Sequence, residues 1–233
     1  MHDNQMTRGT KEFNQKFAEF HHYKNHPQMM PFVGKYWNDN KKLLVIGESH
    51  YLDHDFDVEI IKDWYNFSVE ELDGEDKEYA YGWTNTANLV DTTDYKPKGH
   101  TLWRNIDIAI RETGLNPTES VFCYISFYNF FQRPAEKTGN SINITNEDKA
   151  IANETLKFII DVINPNYLFF VSSKAWQAYN KGIFNADHVG HGAHPSNICW
   201  NKKASTYTRY FSKQAVTGKE SFKDFIIFHK IFE

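Results

Sequence analysis

Apolar residues along the chain fall into two rhythms, short continuous runs and stretches spaced three or four apart, and their alternation predicts strands separated by helices. Phe13, Phe17 and Phe20, followed by Tyr23 and Lys24, sit at helical spacing and predict an amphipathic helix over residues 10–24 laid against the core. Lys41-Lys42-Leu43-Leu44-Val45-Ile46-Gly47 is an apolar run closed by glycine, the pattern of a buried parallel strand that opens into a functional loop. Thr101 to Ile110 has helical period and stops near Gly114, ahead of Asn116-Pro117. Ser120 to Phe127 is rich in β-branched and aromatic residues and reads as a second strand, with Arg133-Pro134 as its stop. Glu147 to Ile163 reads as a helix broken by Asn164-Pro165-Asn166, and Tyr167 to Val171 as the third strand. Residues 174–181 read as a short helix, Asp187 to Gly190 as a brief strand, and Phe225 to Phe228 as a last apolar segment.

The order of these elements predicts an α/β fold, a three-layer αβα sandwich with a short, mostly parallel central sheet and ligand chemistry at the carboxyl ends of its strands. No stretch has linker composition, so residues 1–233 read as one domain, with a helical cover over 1–42 and an insertion over 52–98. Charge sharpens this division. Residues 52–94 hold thirteen Asp or Glu against Lys62 and Lys77, a local net charge of −11, whereas residues 196–233 carry +4 and residues 1–42 carry +3. The basic ends offer a face to a polyanion while the acidic segment points elsewhere or is simply solvated.

Composition excludes several classes. No run of eighteen apolar residues exists and the first residues lack the apolar run of a signal peptide, so no membrane partner is expected. Two cysteines, Cys123 and Cys199, cannot build a disulfide framework or a four-thiolate zinc site, which fits a reducing cytoplasm. A monomer without cofactor is expected.

Unusual residues concentrate in three strand-end loops: Gly47-Glu48-Ser49-His50-Tyr51, then Phe127-Tyr128-Asn129, then His191-Gly192-Ala193-His194-Pro195-Ser196. In a parallel sheet these loops share one edge, so a carboxylate, an amide and an imidazole are expected to face a common pocket. A second pattern, His188, His191 and His194 at three-residue spacing with Asp53, Asp55 or Asp57, suggests a metal hydrolase. Metal histidines at that spacing usually ride a helix, and Gly190, Gly192 and Pro195 make this stretch a loop, so no metal is expected.

Over roughly residues 43–200 the order of the motifs resembles the uracil-DNA glycosylase superfamily. Gly47 to Tyr51 is similar to that family's Gly-x-Asp-Pro-Tyr loop at Gly and Tyr. Thr101-Leu102-Trp103-Arg104-Asn105-Ile106 resembles its Ser-Leu-x-Asn-Ile phosphate loop. Tyr124 to Asn129 resembles the strand whose Asn reads the base, and His194-Pro195-Ser196-Asn197-Ile198 resembles its His-Pro-Ser-x-Leu loop. The departure is Ser49, which stands where the family places its water-activating Asp.

The resemblance implies a monofunctional DNA glycosylase acting on a flipped-out base, with DNA as partner. His194 would stabilise the departing base, Glu48 or His50 would hold water, and Tyr51, Phe127 and Asn129 would bind the base. Thr101, Ser196, Lys202 and Lys203 would meet the DNA backbone, and Ile198 would be the wedge in the vacated stack. Each has a plainer alternative: Glu48 as a turn cap, His50 as a bonded loop histidine, Asn129 satisfying turn backbone, Ile198 as core. The replaced Asp and the long insertion, with Trp64, Tyr65, Phe67, Tyr79, Tyr81, Trp83 and Tyr95 among carboxylates, point to a pyrimidine with a bulky, sugar-like substituent. Attack on phage DNA carrying modified bases is the corresponding role. Repair of uracil or deaminated bases, hydrolysis of free nucleosides, and a catalytically degenerate DNA-binding module remain the alternatives.

Overall fold

The computed structural model describes residues 7–52, 58–92, 95, 100–137, 139–208 and 214–233. Five strands form one sheet: β1 (Phe32–Val33), β2 (Leu43–Gly47), β3 (Ser126–Asn129), β4 (Tyr167–Phe170) and β5 (Val189–His191), in the order β1-β3-β2-β4-β5. β2 runs parallel to β3 and β4, β4 runs parallel to β5, and β1 is antiparallel to β3. The fold is therefore α/β with a mostly parallel sheet. A separate antiparallel pair joins β6 (Ala204–Thr208) to β7 (Ala215–Val216).

The helices are α1 (Asn14–Phe17), α2 (His21–Asn25), α3 (Val58–Lys62), α4 (Gly74–Thr84), α5 (Thr86–Thr92), α6 (Thr101–Arg111), α7 (Asn146–Ile163), α8 (Ser173–Ala178) and α9 (Gly218–Phe228). All five residues of β2 are buried, which explains its unbroken apolar run. Leu44 and Ile46 join a core that includes Ala152, Leu156 and Ile159 of α7. Leu43 and Val45 join another, with Ile106 and Ile110 of α6 and Phe222, Phe225 and Ile226 of α9. Both faces of the strand are thus covered, at about 1.5–3 kcal/mol for each large aliphatic side chain removed from water.

α7 begins with a capping box, Thr145 Oγ1 accepting from the Asp148 amide while Asp148 Oδ2 accepts from the Thr145 amide at 2.7 Å. The same buried carboxylate accepts from Arg133 Nε at 2.8 Å and from the Tyr65 hydroxyl at 2.8 Å. One residue therefore starts a helix and ties the loop after β3 to the insertion.

The structure corrects several expected elements. The helix over 10–24 is two short helices, because Phe20 adopts an extended conformation and its ring stacks on Phe158 of α7 at 4.7 Å. The strand expected over Ser120 to Phe127 begins only at Ser126. Val121–Tyr124 is a 3-10 turn capped by Ser120, and the Cys123 and Ile125 carbonyls accept from the amides of Tyr36 and Gly34. Residues 225–228 are the last turn of α9, and the expected strand at Asp187 starts instead at Val189, after a 3-10 turn over Ala186–His188. No helix among the described residues is long and apolar enough to cross a membrane.

The parallel strands run β3-β2-β4-β5, so the direction of winding reverses beside β2. Open α/β sheets bind ligands at such a reversal, outside the carboxyl ends of the strands.

Candidate functional site

The register of β2 and β3 sets Gly47 beside Asn129. A Cβ at Gly47 would collide with Asn129 Oδ1 and lie 2.8 Å from Phe127 Cζ, so the absent side chain is what lets the amide lie over the strand end. Phe127 and Asn129 share a face by the two-residue period, and the Phe127 ring meets Trp103 of α6 edge-on at 4.4 Å. Asn129 is 9% exposed, and its amide has no hydrogen bond to another described residue. These residues border a cavity of ≈ 900 Å³ together with Ser49, His50, Tyr51, His194 and Ser196.

His194 reaches the cavity from the loop after β5. That loop is held on two sides: Asn105 Nδ2 of α6 donates to the Pro195 carbonyl at 2.7 Å, and Gly218 at the start of α9 packs so closely that a Cβ there would lie 2.7 Å from Ala193 Cβ. The Ser196 amide donates to His194 Nδ1 at 3.2 Å. A neutral imidazole accepting at Nδ1 carries its proton on Nε2. Burial pushes the His194 pKa below the usual histidine range, and the Glu48 charge pulls the other way. At neutral pH the group is an uncharged Nε2–H donor.

The first loop divides its labour. Ser49, His50 and Tyr51 border the cavity, whereas Glu48 does not. The Glu48 carboxylate accepts from the Ser172 hydroxyl at 2.7 Å and from the Ser141 hydroxyl, which secures it to the start of α8. His50 is buried, its Nε2 lies 3.0 Å from Thr86 Oγ1 of α5, and burial lowers its pKa to about 4, with the Trp83 backbone acting in the opposite sense. It is uncharged at neutral pH. The Tyr51 ring lies 6.4 Å from that of Trp83.

Of the residues expected to meet DNA, Ser196, Ile198, Lys202 and Lys203 are exposed. Ile198, at 62% exposure, does not belong to the core, and neither lysine has an ion-pair partner among the described residues. Thr101 stands at a helix start but does not border the cavity. It is the first residue of α6, its hydroxyl accepts from Arg104 Nη2 at 3.1 Å, and His100, Leu102 and Trp103 border the cavity in its place.

The insertion also separates into parts. Trp64, Tyr65 and Phe67 pack in the core shared with α7, Tyr95 is buried in the core beside α6, and Tyr81 donates to Glu70, so these five do not border the cavity. Tyr79 and Trp83 border the cavity, with Glu75 and Glu78 beside them. The three-histidine pattern disperses: His188 packs on Tyr167, His191 stacks on Trp176 at 4.5 Å, and His194 faces the cavity. Asp53, Asp55 and Asp57 lie outside the described residues, and no group of three or more His, Cys, Asp or Glu is placed to hold a metal among those described.

Sequence reasoning missed His100, Trp103 and Asn105 as parts of the site. Their signal was their position within or beside the segment Thr101 to Ile106. Comparison of the chain with protein-family models, curated proteins and solved structures finds no match.

Proposed function

We propose that this protein is a DNA glycosylase that hydrolyses the N-glycosidic bond of a flipped-out, modified pyrimidine. The observation that carries the reading is the pairing, in one cavity at the carboxyl ends of β2, β3 and β5, of an uncharged Nε2–H donor on His194 with the unsatisfied amide of Asn129. As the glycosidic bond stretches, the base takes on negative charge and the sugar becomes cation-like. A preorganised donor out of water stabilises the first, at about 3–4 kcal/mol for comparable oxyanion sites. The Asn129 amide offers both a donor and an acceptor to a pyrimidine edge, and the Phe127 ring gives the base an apolar surface. Water adds to C1′ of the sugar, the base leaves with the bonding pair and is protonated, and an abasic site remains. Glu48, held by Ser141 and Ser172 within electrostatic reach of His194, supplies negative charge near the developing cation. Exposed Ile198, Lys202 and Lys203 suit entry of a duplex, with the apolar side chain filling the gap left by the extruded base. The cavity is large for an unmodified pyrimidine, which favours a base carrying a substituent and hence foreign, modified phage DNA as the target.

One observation favours a second reading, a DNA-binding module without catalysis: the first loop presents Ser49 rather than a carboxylate to the cavity. Mass spectrometry of bases released from a panel of normal, deaminated and modified duplexes separates the two. Release of a modified base with formation of an abasic site supports the glycosylase. Binding without release from any duplex supports the module, and preferential release of uracil moves the function to repair.

A further inference from the structure

The cavity has a second wall of different chemistry. Glu75, Glu78, Tyr79, Gly82 and Trp83 of α4 all border it, spaced three or four residues apart along one side of the helix. Neither Glu75 nor Glu78 has a hydrogen-bond or ion-pair partner among the described residues, since Lys77 on the same helix is turned to Glu70 at 2.6 Å. Tyr79 and Trp83 keep 41% and 37% of their surface exposed, so their rings are open to a ligand. From the sheet edge, Asn129, nine-tenths buried and with a side-chain amide that has no hydrogen-bond partner among the described residues, opens onto the same space. Tyr51 borders the cavity beside Trp83 and leaves it continuous from one wall to the other.

We propose that the α4 wall is a subsite for an ammonium group carried by the substituent of the extruded pyrimidine. The inference rests on the glycosylase reading and names its substrate class. Two uncompensated carboxylates in a cavity entered by a polyanion are repelled by every phosphate that approaches, and a cation on the ligand offsets that repulsion. Carboxylates only accept hydrogen bonds, and an ammonium only donates, with three protons to share between Glu75 and Glu78. The faces of Tyr79 and Trp83 attract a cation through their quadrupoles. A sugar fits less well, because each hydroxyl brings acceptor capacity, for which these four side chains offer only the Tyr79 hydroxyl and the Trp83 indole N–H.

Three duplexes that differ at one base test this: uracil, 5-aminoallyluracil, and 5-aminoallyluracil with its amine acetylated. The acetylated base matches the amine in reach and lacks its charge. Base release and duplex affinity are both measured, in the wild type and in the double variant Glu75→Gln/Glu78→Gln. The expected result is an advantage of about tenfold or more for the amine over its acetylated form, shrinking as salt rises and falling close to parity in the double variant. Equal handling of amine and acetylated base by the wild type overturns the subsite, as does an advantage that survives in the double variant. If no duplex loses its base while the amine advantage persists in affinity, the glycosylase reading fails and the ammonium subsite stands. Release of all three bases at equal rates has the opposite meaning.

Discussion

The two walls of the cavity are built on opposite principles. The sheet wall, Phe127, Asn129 and His194, is neutral, largely buried and fixed by strand register, by the Asn105–Pro195 tether and by the approach of Gly218 to Ala193. The α4 wall, Glu75, Glu78, Tyr79 and Trp83, is exposed, and its two carboxylates are unpaired. Groups that must meet a reacting atom need positions set by backbone, because small misplacements are costly in rate. Groups that select a substituent need charge and surface, which a helix supplies with few constraints. If the protein is the glycosylase proposed above, its activity should be brittle on the sheet side and adjustable on the helix side.

The largest effect is expected at His194. Replacing it by alanine removes the Nε2–H donor and should slow base release on the order of a hundredfold or more, with the melting temperature little changed. Single-turnover kinetics measures this, and wild-type rates would remove His194 from the chemistry.

Next is stability against acid. His50 ties the loop after β2 to α5 through Thr86, is uncharged in the fold, and has its pKa lowered to about 4 from the usual 6.5. Its contribution is complete above the unfolded value and is lost as pH falls from 6.5 through 4, amounting to about 3 kcal/mol. Buried His26, lowered likewise to about 4, adds to the same trend. Urea midpoints across this range should drop, and His50→Gln should flatten the slope; an unaltered slope would assign the loss to other groups.

Two glycines give a smaller and more pointed contrast. Gly47→Ala drives a methyl group into Asn129 Oδ1 and should destabilise the protein by about 1–3 kcal/mol while impairing base release. Gly82→Ala, on the helix wall with open space around it, should stabilise α4 by about 0.5–1 kcal/mol. Paired denaturation curves decide the matter, and effects of the same sign would dissolve the distinction between the walls.

Least in size is the effect of Ile198→Ala, expected to weaken release from duplex DNA several-fold more than from single strands, since unstacking burdens only the duplex. Equal losses on both would make Ile198 an ordinary surface residue.

Much of the sheet was legible in the sequence because β2 and β4 are continuous apolar runs and α7 carries helical period between a capping residue and Asn-Pro. What escaped was set by tertiary contact. Val121 to Tyr124 has strand-forming side chains, yet its backbone makes a 3-10 turn capped by Ser120, with the Cys123 carbonyl bonded to the Tyr36 amide. β1 is two residues long and β6 is largely polar, so neither carries a periodic signal. The start of α9 was legible and overlooked, for Thr217 and Glu220 form a capping box. The three site loops were found because glycine, histidine and proline at strand ends stand out from apolar runs. The insertion was expected to meet a substituent, but which of its aromatics border the cavity was not legible, since bringing Tyr79 and Trp83 to it while Trp64 and Tyr65 turn into the core depends on packing that no local pattern encodes.

The position of β2 also bears on how the chain is made. Every residue of β2 is apolar or glycine and both its edges are covered in the fold, yet its neighbours β3 and β4 are made only from Ser126 and Tyr167 onward. While the residues between Gly47 and Tyr167 are made, a nascent molecule carries a bare, sticky edge of the kind that recruits chaperones or aggregates. The loop bearing His194 follows later still, and α9, which clamps it, later again. A chain interrupted before α9 cannot hold the His194 loop in place, so truncated products should lack the assembled cavity.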